Sequence, residues 1–290
     1  MKPPVFDYIA ATSIGMAVAA LAEAGGEAKV LAGGQSLMPM LNFRLLRPSI
    51  LVDINRIRGL GFVEETPDSI RIGALTRHFQ LETSPLVARH FPVLSCAMTH
   101  VAHLAIRNRG TIGGSLSHAD PAAELPMLAL LLNAELHIVS INGSRVAAAR
   151  DFFLDTMTVD LDGTELLAEI VLPKLPPHTG WGFEEVARRH GDFALAAVAT
   201  TLTLSGDRIA EARVALTGVG PTALRATDAE TLLVGQRLDD KLAMRAIVAV
   251  REAISPETDL HASADYRRHL AGVLAGRALA AAWCRAKGAA

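Results

Sequence analysis

Two glycine pairs in similar settings constrain this chain more than anything else in its sequence. The first lies in KVLAGGQSLMPMLNF, residues 29 to 43, where Gly33 and Gly34 follow an apolar run and precede Gln35, Ser36 and Leu37. The second lies in RGTIGGSLSHADPAAELPML, where Gly113 and Gly114 stand between Thr111 and Ser115. Glycine lets the backbone approach a bulky anion, and main-chain amides are good donors to phosphate oxygens where no side chain intervenes. Gln35, Ser36, Thr111 and Ser115 add side-chain donors. A helix start behind each loop favours negative charge further. Together these features suit a diphosphate. Spacing alone leaves the tight turn and the diphosphate loop both open for each pair.

Other nucleotide motifs do not compete. No G-x-x-x-x-G-K-[ST] occurs, and GLGFVE at Gly59 and GVGPTA at Gly218 lack the third glycine of a dinucleotide fingerprint. Half of the 290 residues are hydrophobic and a fifth are charged, so a large packed core is expected, in one large domain or two smaller ones. A net charge of −2 gives no reason to invoke nucleic acid or an anionic membrane. FALAAVATTLTL, among the longest apolar runs, is too short for a membrane span, and the N-terminus lacks the core of a secretory signal. The expected location is cytoplasmic. Two cysteines, Cys96 and Cys284, cannot supply the four ligands of a [2Fe–2S] cluster or a disulfide framework. His100 and His103 have helical spacing but no cysteine or carboxylate motif beside them, which favours packing or surface roles over metal. No nucleophile triad emerges. Arg107 and Arg109, next to the second loop, fit a phosphate contact or a solvated, partner-facing role equally.

Helical periodicity follows Ser13 and ends at Gly25-Gly26, and AKVLAGG reads as a short strand entering the first loop. Leu37, Met40, Leu41 and Leu45 predict a short helix or turn with Pro39 in its first turn. SILVDIN and SIRIGAL read as strands flanking a turn at Pro67-Asp68-Ser69. A helix is predicted over Pro92 to Ala105. Another starts with Asp120 as cap and Pro121 at its first position, and runs to Asn133 before a strand at AELHIVSI. The proline-rich LPKLPPHTG marks the boundary, giving units 1–176 and 177–290. Behind it come strands GWGFEEVAR, FALAAVATTLTLSG and IAEARVALTGV, and then helices from Asp228 to Ala286.

Taken together, LAGGQSLMPMLNFRLLRP, IRNRGTIGGSLSHADPAAELP, ARRHGDFALAAVA and DYRRHLAGVL resemble the FAD-binding medium subunits of molybdenum-containing hydroxylases. The resemblance is to the aerobic carbon monoxide dehydrogenase branch, with xanthine dehydrogenase flavin domains more distant, and it runs from Phe6 to the end. It implies an α+β fold. A two-lobed FAD-binding domain of the p-cresol methylhydroxylase type would precede a C-terminal domain of three-stranded antiparallel sheet plus helical bundle. It implies that Ala32, Gly33, Gly34, Gln35 and Ser36, with Thr111, Gly113, Gly114 and Ser115, grip the FAD diphosphate. By the same carry-over Ile106, His118, Asp120 and Glu124 lie beside the cofactor, with Glu124 on the ribose or ribityl. Leu167 lines the flavin pocket, and Phe193 offers its ring to the isoalloxazine.

No catalytic residue or metal ligand is implied. Two departures stand out: Ser115 replaces a common asparagine, and Glu184 and Glu185 stand where relatives often carry lysine. Those carboxylates are expected to make the flavin surroundings more negative and to disfavour an anionic reduced flavin. The implied role is that of an electron-transfer subunit. It would work between a small subunit with two [2Fe–2S] clusters and an external acceptor, beside a large molybdopterin subunit, in a dimer of heterotrimers. A self-sufficient flavin oxidoreductase of the same fold is the alternative. A scaffold that has lost FAD is a third reading, opposed by the intact loops.

Overall fold

The computed structural model describes residues 2–288. Its first layer contains β1 (Asp7–Ala10), α1 (Ile14–Glu23), β2 (Ala28–Leu31), α2 (Leu37–Asn42) and β3 (Ile50–Asp53). The strands form a parallel sheet in the order β1-β3-β2. Parallel strands need crossovers, and α1 is the one that joins β1 to β2, which lie on either side of β3. The Ser13 hydroxyl accepts the Met16 amide at 3.2 Å to start α1, and Ala17, Val18, Ala20 and Leu21 form its buried stripe. Since β2 and β3 run the same way, the chain leaves Leu31 and Asp53 on the same edge of the sheet. The first glycine loop therefore emerges beside Asp53–Asn55.

The second layer is built from β4 (Val63–Glu65), β5 (Ser69–Gly73), six short helices, and then five further strands with a seventh helix among them. The helices are α3 (His78–Thr83), α4 (Pro85–His90), α5 (Pro92–Met98), α6 (Leu104–Arg107), α7 (Ile112–His118) and α8 (Glu124–Leu131). After them come β6 (Glu135–Ser140), β7 (Gly143–Ala148), α9 (Ala149–Phe152), β8 (Phe153–Asp155), β9 (Thr158–Val159) and β10 (Leu166–Pro173). The five-stranded sheet has the order β4-β5-β10-β6-β7 and is antiparallel. Ile70, Ile72, Leu136, Ile138 and Ile170 from its strands pack on Phe91, Leu94, Met98, Met127 and Leu128 from the helices.

The third layer holds β11 (Thr179–Ala187), β12 (Ala194–Ser205), β13 (Arg208–Thr217), β14 (Leu224–Arg225), α10 (Thr227–Leu233), α11 (Asp240–Glu252) and α12 (Ala264–Ala286). The three antiparallel strands expected from the sequence are present, and the two-residue β14 extends them at the β13 edge. The long helix α12 lies on β11 and β12. It comes close because Gly180 and Gly182, two apart and so on one face of β11, leave room for the backbone at Ala282 and Ala278. Helix α8 is buried at all eight positions, because it sits between the second-layer helices and β12–β14. Among the described residues no helix is long and apolar enough to cross a membrane.

Two expected helices have other bounds. The helix over Pro92 to Ala105 stops at Met98, and Ala102 takes φ +48° before α6 begins. His100 and His103 therefore do not share a helical face. The helix expected at Pro121 begins at Glu124. Asp120 instead accepts the Ala122 amide at 2.9 Å, closing a turn after Ala119, whose φ of +48° ends α7. The helices α3 and α4 had no counterpart in the reading of the sequence.

Candidate functional site

The first glycine loop is rich in free donors. Gly34 has φ +70°, a conformation that suits glycine, and the turn it makes leads into α2. Among the described residues, the amides of Gly33, Gly34, Gln35 and Ser36 donate to no acceptor in the chain. They lie at the carboxyl edge of a parallel sheet, where α/β folds place ligands. The Gln35 side chain is less available than its type suggests, because its Nε2 donates to Gly33 O at 2.9 Å.

The second loop differs. Thr111 is the N-cap of α7 and its hydroxyl accepts the Gly114 amide at 3.1 Å. The Ile112 amide goes to Thr76 O, that of Gly113 to Ala74 O, and that of Ser115 to Thr111 O. The amides expected to meet phosphate here are already bonded. These glycines serve contact instead: a Cβ on Gly113 would stand 2.5 Å from Ala74 Cβ, and one on Gly114 2.8 Å from Thr111 Oγ1. What remains on this side for a ligand is the Ser115 hydroxyl and the cationic segment before Thr111.

The two loops meet. A Cβ on Gly33 would run into the Arg109 carbonyl and lie 2.9 Å from Gly110 Cα. A polar chain ties the same junction: Asn55 Nδ2 donates to Ala32 O at 2.8 Å, and Arg77 Nη2 to Asn55 Oδ1 at 2.8 Å. Arg77 Nη1 donates to the Arg109 carbonyl. Burial, and then the neighbouring Arg109 guanidinium, hold the Arg77 pKa below its usual value, with the Asp53 carboxylate offsetting part of the effect. A recess of about 470 Å³ opens here between Gly33, Gly34, Met38, Asn55 and Arg109, with the Asp53 carboxylate also in its lining. A second one beside it is lined in addition by Arg77 and Asn108. Free amides, a cradle that a Cβ would fill and two guanidiniums beside a single carboxylate, Asp53, fit an anion with several oxygens, as the diphosphate of FAD is. Asp53, Asn55 and Arg77 were not singled out from the sequence. The signal was there in SILVDIN, whose last residues leave a parallel strand at its carboxyl end.

The remaining candidates spread away from this junction. Ile106 is on α6, partly exposed, and His118 closes α7. Leu167 is 3 % exposed within the main core and borders neither recess. Phe193 is 61 % exposed just ahead of β12 and belongs to no core. Glu124 is 4 % exposed, where a first-turn acid would ordinarily be solvated. The side chain of Glu185, 3 % exposed, lies against it. Glu185 is therefore not a free surface charge, which alters the expected effect of the two departing carboxylates. Burial, and then Glu185, push the Glu124 carboxyl up to about 8. His78, packed under Gly110, is pushed down to about 4 by burial and is neutral at pH 7.

Residues 4–175 match the FAD binding domain in molybdopterin dehydrogenase, and residues 181–282 match the CO dehydrogenase flavoprotein C-terminal domain. The chain is 42 % identical over 288 residues to the 6-hydroxypseudooxynicotine dehydrogenase complex subunit alpha of Paenarthrobacter nicotinovorans, covering 99 % of this chain and 97 % of that one. A carbon monoxide dehydrogenase structure from Hydrogenophaga pseudoflava superposes with a TM-score of 0.96 at 41 % identity, covering 98 % of this chain and 99 % of that one. Quinoline 2-oxidoreductase from Pseudomonas putida 86 gives a TM-score of 0.93 at 40 % identity, covering 100 % and 99 %. The chain thus belongs to the FAD-binding medium subunits of the molybdenum hydroxylases, as an oxidoreductase flavoprotein subunit with FAD as its cofactor.

Proposed function

We propose that this chain is the electron-transfer subunit of a molybdenum hydroxylase complex. It takes electrons from the [2Fe–2S] clusters of a small partner subunit and passes them to an external acceptor. A large molybdopterin subunit would hold the substrate, and the assembly would be a cytoplasmic dimer of heterotrimers. A bound flavin supplies the ability to accept electrons singly and release them singly or in pairs. The chain's own residues bind and orient it. The first loop, Ala32 to Ser36, donates amides to the diphosphate. Arg77 and Arg109 neutralise it, and Thr111, Gly113, Gly114 and Ser115 form the opposing wall. By the resemblance alone, Ile106, His118, Asp120, Glu124, Leu167 and Phe193 would surround the rest of the cofactor.

The row of unbonded amides at Gly33 to Ser36, in a recess that Arg109 also lines with Arg77 beside it, supports this reading. The test is anaerobic reduction of the chain loaded with FAD, alone and co-expressed with its partner subunits. The flavin absorption should bleach on adding the complex's oxidisable substrate only when the partners are present. Turnover of such a substrate by the isolated chain would overturn the proposal in favour of a self-sufficient flavoenzyme.

A further inference from the structure

Arg77 is held at both ends. It is the N-cap residue of α3, its amide donates to Gln80 Oε1 at 2.8 Å, and its backbone pairs with Thr111 in an isolated antiparallel bridge. The second loop thus fixes where its side chain starts. That side chain then reaches across, with Nη2 donating to Asn55 Oδ1 at 2.8 Å and Nη1 to the Arg109 carbonyl. Both acceptors are neutral, so neither bond cancels the guanidinium charge. Asp53 offsets part of that charge through space, but its oxygens accept from Tyr8 and Asn55 rather than from Arg77. Asn55 is the link. Its Nδ2 donates to Asp53 Oδ1 at 2.7 Å and to Ala32 O at 2.8 Å, and its backbone amide to Asp53 Oδ1 at 2.8 Å. A flipped amide would set its oxygen against those acceptors and its NH2 against the guanidinium, so only one orientation fits. Asn55 is exposed, and bonds that compete with water stabilise the fold little. What they fix is direction. One short side chain joins the end of β3, the first loop at Ala32 and the arginine of the opposing wall, around the recess that Gly33, Asn108 and Arg109 also line.

We propose that Asn55 is a positioning residue for the cofactor: it aims Arg77 at the diphosphate through a neutral bond that leaves the guanidinium charge to the anion. This rests on the cofactor site proposed above. An arginine side chain free in solvent samples many rotamers, and holding it in place beforehand removes that ordering cost from binding. The amide is suited to this where a carboxylate is not. Asn55→Asp would keep the shape, but it would bring a second carboxylate beside Asp53, pair with Arg77 and lose the donor to Ala32 O.

The experiment is FAD titration of the full chain by flavin fluorescence at several ionic strengths, with urea unfolding of the FAD-free chain as the check on folding. Arg77→Gln should weaken FAD binding about 10- to 100-fold, the range for a lost bond to a charged group. Asn55→Ala should weaken it at least about fivefold and flatten its salt dependence toward that of Arg77→Gln. Added to Arg77→Gln, Asn55→Ala should weaken binding no more than about twofold further, because it acts through the arginine. Arg77→Lys keeps the charge but loses the planar fork, and should bind FAD at least about threefold more weakly than wild type. That variant decides the matter if Asn55→Ala folds poorly. Wild-type affinity in Asn55→Ala, losses that multiply in full in the double variant, or wild-type affinity in Arg77→Lys would each overturn the proposal. If Arg77→Gln itself leaves FAD affinity and its salt dependence unchanged, the recess is not the diphosphate site. The cofactor site then falls and this proposal with it, so the two failures are told apart.

Discussion

Gly33→Ala tests the junction of the two loops most directly. The added Cβ would stand 2.9 Å from Gly110 Cα and 3.0 Å from the Arg109 carbonyl carbon. Carbon atoms settle at about 3.5–4.0 Å, so the loops must part by roughly 0.6–1 Å. Neither neighbour can rotate away, because both are backbone, and Arg109 O is also fixed by Arg77. Overpacking of this kind costs about 1–3 kcal/mol. In the empty chain, part of that cost is relieved by opening the recess. With FAD bound, both loops must close on one diphosphate, so the cost falls on the bound state. At one decade per 1.4 kcal/mol, FAD affinity should drop about 5- to 150-fold. The assay is FAD titration by flavin fluorescence, together with chemical unfolding at fixed FAD. At about 1,000 times the original Kd, FAD adds about 4 kcal/mol of stability, and a hundredfold weaker site keeps about 1.4 kcal/mol of it. Gly15→Ala is the control, since nothing lies within 4 Å of its added Cβ. Unchanged FAD affinity and unchanged stability in Gly33→Ala would refute the reasoning, because the loops would then not need contact at Gly33 to hold the cofactor.

Gly113→Ala should act on folding rather than on binding. Its Cβ would be 2.5 Å from Ala74 Cβ and 2.8 Å from Ala74 O in the buried layer, and urea unfolding should show a loss of about 1–3 kcal/mol with or without FAD. His78, whose folded pKa is about 4 against an ordinary 6.5, should make the chain acid-sensitive. Between pH 6.5 and 4 the unfolded chain binds a proton that the native state refuses, so stability falls as pH falls, by about 3 kcal/mol in total. A His78→Gln variant, compared with wild type in unfolding titrations across that range, should show a flatter pH profile.

Several parts of this molecule are legible from local sequence because their causes are local. Ser13 caps α1, Gly25 and Gly26 end it, and the strands of the third layer show as long apolar runs between turn residues. The turn at the first glycine pair is legible because glycine is needed there for the backbone itself, at φ +70° in Gly34. Legibility stops where a residue's role depends on something distant. Asp120-Pro121 looks like a helix start by every local rule, yet Ala119 in the left-handed region turns the chain and delays the helix to Glu124. Phe193 follows the charged Arg188–Asp192 turn and leads into an apolar strand, which reads as core, but it stays exposed. Glu124 reads as a solvated first-turn acid, and only β11, laid over it by the third layer, buries it against Glu185.

The two glycine pairs illustrate the same division within the site. Their similarity in sequence suggests one job done twice, with amides from both loops converging on one diphosphate. The hydrogen bonds separate them. In the first loop, four successive amides are free among the described residues, and glycine provides the turn that presents them. In the second, the amides from Ile112 to Ser115 are bonded within the fold, and glycine is there because Ala74 and the cap hydroxyl leave no space for a side chain. One loop contributes donors, and the other contributes position: it brings the Arg109–Gly110 backbone against Gly33 and sets Arg77 and Arg109 opposite the free amides. On the proposed site, an anion between them would meet amide dipoles on one side and, on the other, guanidiniums partly offset by the Asp53 carboxylate. Binding should then weaken with ionic strength through the arginines, while the amide side is screened far less. The site is shared between two layers that are far apart in the chain, so its formation depends on their packing as much as on either glycine motif.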